Sequence, residues 1–361
     1  MTTSAPAFAT LVVGSLPRPL WVRDVVYERK DGRMSEAEAN HHLDAAIPTA
    51  IRMQERAGLD YVSDGEWRRE SYVKVFAEAV GGFENDLILS GGTRAPNLMY
   101  PAVVRELQPR RPIAADDAKF LQAQTESRTI VAVPSPYTIA RRMWSEEHSR
   151  DAYPTRDEFM EACIPIVRDE IRALADLGVD AVQLDDPWLA LLVDASYRDR
   201  EGITDIDGEI ERCVRGVNGA AEGNEDVFLS VHMCHAHFDR KHATKGPYDL
   251  VIGALADMHV QRVAIELATP DAGGVDALRN FPKDKLLGLG VIDHTDPHVE
   301  TPDEVVARAE RAMEHVPAGR ITLNPDCGFA PSATNPMDFD EAYLKLRAMC
   351  QGAQQLREKY V

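Results

Sequence analysis

Hydrophobic and polar positions repeat in one order along most of the chain. A stretch with helical spacing stops at a Gly, a short apolar run follows, and acidic or other polar residues come next. Gly58-Leu59-Asp60-Tyr61-Val62-Ser63-Asp64 and Gly178-Val179-Asp180-Ala181-Val182-Gln183-Leu184-Asp185 share that order. Strands are predicted over Thr10–Val13, Leu59–Glu66, Thr129–Val133, Val182–Asp185, 227–233, Arg262–Leu267, Leu286–Asp293 and Arg320–Cys327. Between them lie helical patterns. Ser35 with Glu38 opens a helix to about Ala57, with Pro48 expected to kink or divide it. Thr155 with Glu158 opens another, to about Leu177, and Thr301-Pro302-Asp303-Glu304 a third, to about His315. Further helices are expected at 68–80, 187–197, 207–222, 247–257, 273–280 and 338–358.

Residues 83–128 break the rhythm with Gly-Gly, several Pro and Arg-Arg, and read as an inserted hairpin or arm, a lid or an oligomer contact. Eight strands alternating with helices, and neither GxGxxG nor GxxxxGK[ST], predict one α/β domain over residues 1–361: a parallel (β/α)8 TIM barrel with the arm after its second strand–helix unit.

Composition changes this picture little. Of 361 residues 44% are hydrophobic and 27% charged, as in ordinary globular proteins. A net charge of −19 argues against nucleic acid or an anionic membrane as partner. No apolar run is long enough to span a bilayer, and the start, MTTSAPAFATLVV, has no charged leader pattern. Five cysteines are too few and too odd for a disulfide framework, so a reducing, cytoplasmic setting is expected. Cys163, Cys213 and Cys350 sit in helical patterns and read as packing residues.

In barrels the chemistry sits at the carboxyl ends of strands. The polar residues there are Ser15, Asp64, Glu66, Asp185, Asp186, His232, Cys234, Glu266, Asp293, His294, Asp326 and Cys327. The segment Val231–Phe238, VHMCHAHF, is the densest. His232 and Cys234 are two apart, so an extended backbone points both to one face. With Glu266 and Cys327 they make a quartet suited to tetrahedral Zn²⁺. His235 and His237 are spare candidates with a supporting or loop role expected. Two thiolates and a carboxylate leave the site net negative, a weak Lewis acid for hydrolysis but a good holder of an incoming thiol as thiolate. A thiol alkyltransferase is therefore favoured over a zinc hydrolase, and a purely structural zinc is disfavoured, because a barrel of this size has core enough without it.

The segments VGSLPRP (Val13–Pro19), DGEWRRESYVKVF (Asp64–Phe76), VQLDDPWL (Val182–Leu189), HMC (His232–Cys234), IEL (Ile265–Leu267), GVIDHTDP (Gly290–Pro297) and NPDCGF (Asn324–Phe329) resemble, in the same order, the catalytic C-terminal barrel of the cobalamin-independent methionine synthase family. The resemblance implies methyl transfer to homocysteine, with zinc on His232, Cys234, Glu266 and Cys327. It implies His294 as the acid that assists release of the methyl group, oriented by Asp293. It places the ammonium of homocysteine at Glu66 and Asp185 and its carboxylate at Ser15. The donor would be methyltetrahydrofolate or a methylcorrinoid, and Trp144 is an approximate counterpart of the folate-contacting Trp. The interval from Cys234 to Glu266 is longer than usual for the family, which implies an insertion around 237–248. The alternative is the related epoxyalkane:coenzyme M transferase, whose sulfonate would be met by Arg18, Arg68 and Arg69.

Overall fold

A computed structural model describes residues 5–89, 99–330 and 337–361. Among these residues eleven strands form: β1 (Tyr61–Val62), β2 (Val80–Leu89), β3 (Met99–Pro109), β4 (Arg128–Pro134), β5 (Ala181–Asp185), β6 (Leu229–Met233), β7 (His237–Phe238), β8 (Lys241–His242), β9 (Arg262–Ile265), β10 (Leu286–Ile292) and β11 (Ile321–Pro325). Seven make one parallel sheet in the order β1-β4-β5-β6-β9-β10-β11. β5, β6, β9 and β11 are buried along their whole length, as strands covered on both faces must be. Register sets the level of the site. Pro134 pairs with Asp185, Asp185 with His232, and Met233 with Ile265, so the residues after each strand emerge side by side.

The edge strands β1 and β11 do not pair with each other. Residues 8–11 lie between them. Phe8 N donates to Ile321 O (2.6 Å), Leu11 N to Leu323 O (3.0 Å), and Leu323 N to Ala9 O (2.8 Å); on the other side Asp60 N and Tyr61 N donate to Thr10 O (both 3.2 Å). The strand expected at Thr10–Val13 is reduced to a single parallel bridge, Thr10 to Leu323. The reason is local: Thr10 N and Oγ1 both donate to the Asp60 carboxylate, at 2.7 and 2.9 Å, which takes Thr10 out of a regular ladder.

The helix Glu36–Ala57 begins at the expected Ser35–Glu38 capping box and ends on Gly58, whose φ of 95° suits the left-handed C-cap. It runs unbroken through Pro48, because a buried face including Leu43, Ile47 and Ile51 holds it on both sides of the missing N–H. The helix expected at 187–197 is two, Pro187–Leu191 and Ala195–Arg200, because Asp194 caps the second by accepting from Ser196 N. The helix expected at 68–80 is reduced to Lys74–Ala79. Those expected at 247–257 and 273–280 are short 3₁₀ turns.

Within the expected insertion, β2 and β3 form an antiparallel ribbon, and its middle, residues 90–98, lies outside the described residues. The end of that stretch is instead a helix, Ala115–Gln124, which leads into β4. Its N-terminus carries no side-chain cap of its own. The Glu170 carboxylate accepts from Ile113 N, Ala114 N and Ala115 N at 2.7–2.8 Å, a cap supplied from a distant helix that local pattern cannot show. Among the described residues no helix is long and apolar enough to cross a membrane.

Candidate metal centre

β6 ends on Met233, and its register sets His232 beside Asp185. The Asp185 Oδ1 lies 3.5 Å from His232 Nδ1, so Nε2 is the free face of the ring, and this buried atom has no hydrogen-bond partner. Cys234 follows on the same face. Cys327, two residues beyond β11, brings its Sγ to 3.4 Å from that of Cys234. Ligand atoms of His232, Cys234 and Cys327 lie within 4.8 Å of one another, and all three residues are buried.

Glu266 follows β9 directly and is fully buried. Its Oε2 accepts from His235 N at 2.8 Å and lies 2.7 Å from His235 Nδ1, while Oε1 has no partner. Its neighbours within ligand range are His242 and His294 rather than the His-Cys-Cys trio. Three of the four expected ligands thus converge, and the carboxylate stands in an adjoining set.

His242 was not among the expected site residues. It reaches the site because β7 and β8 fold back with His237 paired to His242, around Asp239 and Arg240 at φ 50° and 58°. The run His237-Phe-Asp-Arg-Lys-His242, with a turn-forming Asp between two His, is the signal that marks it. His237 Nε2 lies 2.8 Å from Gly328 O, and its ring packs 4.0 Å from that of His294.

The two thiols and the imidazole shift one another. The hydrogen bond from Cys327, aided by His232, brings Cys234 down to about 6, while Cys327 is pushed up. Burial alone would lower His232, but the Cys234 thiolate and Asp185 bring it up to about 10. The two shifts oppose each other across one contact, and a cation bound there would compete with protons for the same atoms. Two close sulfurs, an unpartnered imidazole nitrogen and an unpartnered carboxylate oxygen fit Zn²⁺ by donor chemistry.

His294 is buried just beyond β10, and neither ring nitrogen has a partner. Burial, then His237 and His242, hold its imidazole well below the usual range. The orienting bond expected from Asp293 is absent. The Asp293 Oδ1 accepts instead from Thr295 N (2.7 Å) and Thr295 Oγ1 (2.6 Å), closing a local turn that the Asp-His-Thr spacing favours.

Glu66 is buried at φ 57°, with Oε1 3.2 Å from Arg69 Nη1. Burial, with Asp185 and Asp64 adding repulsion, pushes its carboxyl up to about 7. Asp185 Oδ1 also accepts from Gln183 Nε2 at 2.9 Å. Ser15 is buried, and its carbonyl accepts from Phe329 N (2.8 Å) and Ala330 N (3.2 Å), tying this loop to the Cys327 segment. The three expected cations have partners within the chain, Arg69 through Glu66 at the site itself. Arg18 donates to the carbonyls of Glu66 (2.6 Å) and Arg69 (2.9 Å). Arg68 pairs with Asp44 and Asp117. Arg69 also reaches Ala132 O at 2.9 Å. Asp326 Oδ1 clamps the Glu266 loop by accepting from Leu267 N and Ala268 N, both at 3.0 Å. Asp186 turns to the Ser135 hydroxyl. Trp144 Nε1 is held by Tyr153 O at 2.9 Å.

The sequence model of the family described as "Cobalamin-independent synthase, Catalytic domain" matches residues 8–355. A methionine synthase of Saccharolobus solfataricus is 26% identical over 98% of this chain and 96% of its own length. One of Thermococcus kodakarensis is 28% identical over 98% of this chain and 95% of its own. Among solved structures, a B12-independent methionine synthase from Shewanella sp. W3-18-1, in complex with selenomethionine, superposes with a TM-score of 0.80 at 23% identity, over 98% of this chain and 99% of that one. A methyltransferase from Methanosarcina mazei gives 0.57 at 15% identity, over 99% and 96%. These structural likenesses concern the fold.

Proposed function

Since the chain belongs to the cobalamin-independent synthase catalytic-domain family, we propose that it transfers a methyl group to the sulfur of homocysteine, giving methionine. The observation that carries this reading is the buried pair of sulfurs at 3.4 Å beside the free Nε2 of His232. In this reading the sheet is a (β/α)8 barrel whose eighth position is filled by residues 8–11. His232, Cys234 and Cys327 hold zinc, with Glu266 as fourth donor. Bound zinc supplies the positive charge that turns a thiol, ordinarily protonated at neutral pH, into a nucleophilic thiolate.

The chain's own residues orient the two substrates. Glu66 and Asp185 are buried carboxyls suited to an ammonium, whose arrival would offset the burial, and the repulsion from Asp185 and Asp64, that raise Glu66. Ser15, on the loop tied to the Cys327 segment, offers its hydroxyl to the carboxylate. With a folate donor, His294 would give it a proton as the methyl group leaves. Burial, with His237 and His242, lowers its imidazole below the usual range, which makes the proton it holds readily given up. The donor class is methyltetrahydrofolate or a methylcorrinoid. A sulfonate thiol such as coenzyme M is disfavoured, because Arg18, Arg68 and Arg69 already have partners.

Incubating the zinc-loaded chain with homocysteine or coenzyme M, and with each donor class, tests this directly. Methionine should form from homocysteine, and zinc-edge spectroscopy should register an added sulfur with homocysteine alone. An added sulfur with coenzyme M and none with homocysteine would overturn the assignment.

A further inference from the structure

We infer that His242, Glu266 and His294 form a second divalent-cation site beside the thiolate centre, with Glu266 the ligand common to both. Their ligand atoms lie within 4.8 Å of one another, and all three residues are buried. They come from three places in the fold: His242 ends β8, Glu266 follows β9 and His294 follows β10. Four of their polar atoms have no hydrogen-bond partner: His242 Nε2, Glu266 Oε1 and both ring nitrogens of His294.

Buried polar atoms are ordinarily paired. A hydrogen bond within the set does not pair these, since His242 Nε2 is 3.9 Å from the nearest Glu266 oxygen in ion-pair range. Whichever tautomer His294 adopts, one of its nitrogens offers a lone pair. One cation would satisfy an atom on all three side chains at once. His237, its ring 4.0 Å from that of His294 and its Nδ1 also unpartnered, offers a further nitrogen.

The surroundings hold the ligands in place. Asp271 Oδ2 lies 3.5 Å from His242 Nδ1, and an outer carboxylate of that kind fixes the ring of a metal-binding His. His235 holds Glu266 by Oε2 and leaves Oε1 clear. Imidazoles and a carboxylate without sulfur accept Zn²⁺, Co²⁺, Fe²⁺ or Mn²⁺, whereas the first centre's thiolates prefer softer ions. A carboxylate oxygen has two lone pairs, so Oε1 can serve both ions. If His294 acts as the acid proposed above, an ion here blocks it and represses turnover. That consequence, and the sharing of Glu266 with the thiolate centre, rest on the proposed function, while the site itself does not.

Titrating the metal-depleted chain with Co²⁺ separates the two centres, because only thiolates give a sulfur-to-cobalt charge-transfer band. The wild type should bind two equivalents, the band saturating at one. His242→Ala should bind one equivalent and keep the band; the double variant Cys234→Ser/Cys327→Ser should bind one and lack it. Saturation of the wild type at one equivalent carrying the band, or two equivalents in His242→Ala, overturns the site. One equivalent without the band in the wild type supports this site and overturns the thiolate centre instead. Should His242→Ala fail to fold, the wild type and the double cysteine variant decide.

Discussion

A buried imidazole with no hydrogen-bond partner is an expensive object, and His294 has neither ring nitrogen engaged. Asp293, next to it in sequence, is occupied by Thr295. The two residues should therefore behave differently on substitution. His294→Asn should lower kcat by about 10²–10⁴, the usual contribution of a positioned proton donor, while the metal on the cysteines is retained. Asp293→Asn should change kcat only a few-fold. Steady-state kinetics with metal analysis checks both, and equal losses would restore Asp293 to an orienting role. The strand-end residues were legible at this scale because parallel strands of similar length bring their ends to one level: His232, Cys234 and Cys327 follow apolar runs and meet. His242 was not, because its position depends on a ribbon turn at Asp239 and Arg240 that adopts positive φ without a Gly to signal it.

At the scale of elements, the loop that carries His294 is held from a distance. Lys345, fully buried on the helix Phe339–Tyr360, donates to Asp293 O (2.9 Å), Glu300 Oε2 (3.0 Å) and His298 O. Glu300 Oε1 in turn accepts from Asp293 N at 2.7 Å. Lys345→Met leaves the buried Glu300 without its main cation. It should cost about 3–5 kcal/mol in urea unfolding and lower kcat more than it raises KM for the thiol. Unchanged stability would mean that Arg308, 3.2 Å from Glu300, suffices alone.

The capping box of the helix Pro302–Met313 carries a pH dependence of its own. The Glu304 carboxylate is held down at about 2 by the Thr301 backbone, with His298 assisting. Its folded value lies below its unfolded one, so its stabilisation is present above the unfolded value and fades as pH falls toward 2. Glu304→Gln should flatten the melting temperature's decline between about pH 5 and pH 2; an unaltered slope would remove the cap from that account. The capping boxes at Ser35 and Thr301 were readable because their partners are three residues apart, and Thr155 accepts from Glu158 N without the reciprocal bond. The helix Ala115–Gln124 was not, because its cap is the distant Glu170.

For the whole molecule, alternation of apolar runs and helical patterns was enough to indicate a parallel α/β sheet, since parallel strands need crossovers and helices supply them. The 3₁₀ turns at 248–257 and 275–280 escaped because short apolar stretches do not distinguish them from helix. The proposed metal, joining residues at the ends of β6, β9 and β11, should couple to global stability. Chelation should lower the melting temperature, and an ion present at about 1,000 times its Kd contributes about 4 kcal/mol. Calorimetry with and without chelator measures it, and a coincident pair of melts would show that the site forms without need of metal.

The segment that lies between β11 and β1 also sets an order in time. Residues 8–11 are made long before their partners Ile321 and Leu323. At about 5–20 residues per second, the roughly 300 residues between them take about 15–60 s to translate. Cys327 arrives in the same late stretch as Leu323. While residues 235–326 are being made, the chain thus carries His232 and Cys234 without the second thiol, and residues 8–11 lack their β11 neighbour over nearly all of the same interval, so the seam of the sheet and the cysteine pair are completed within a few residues of each other.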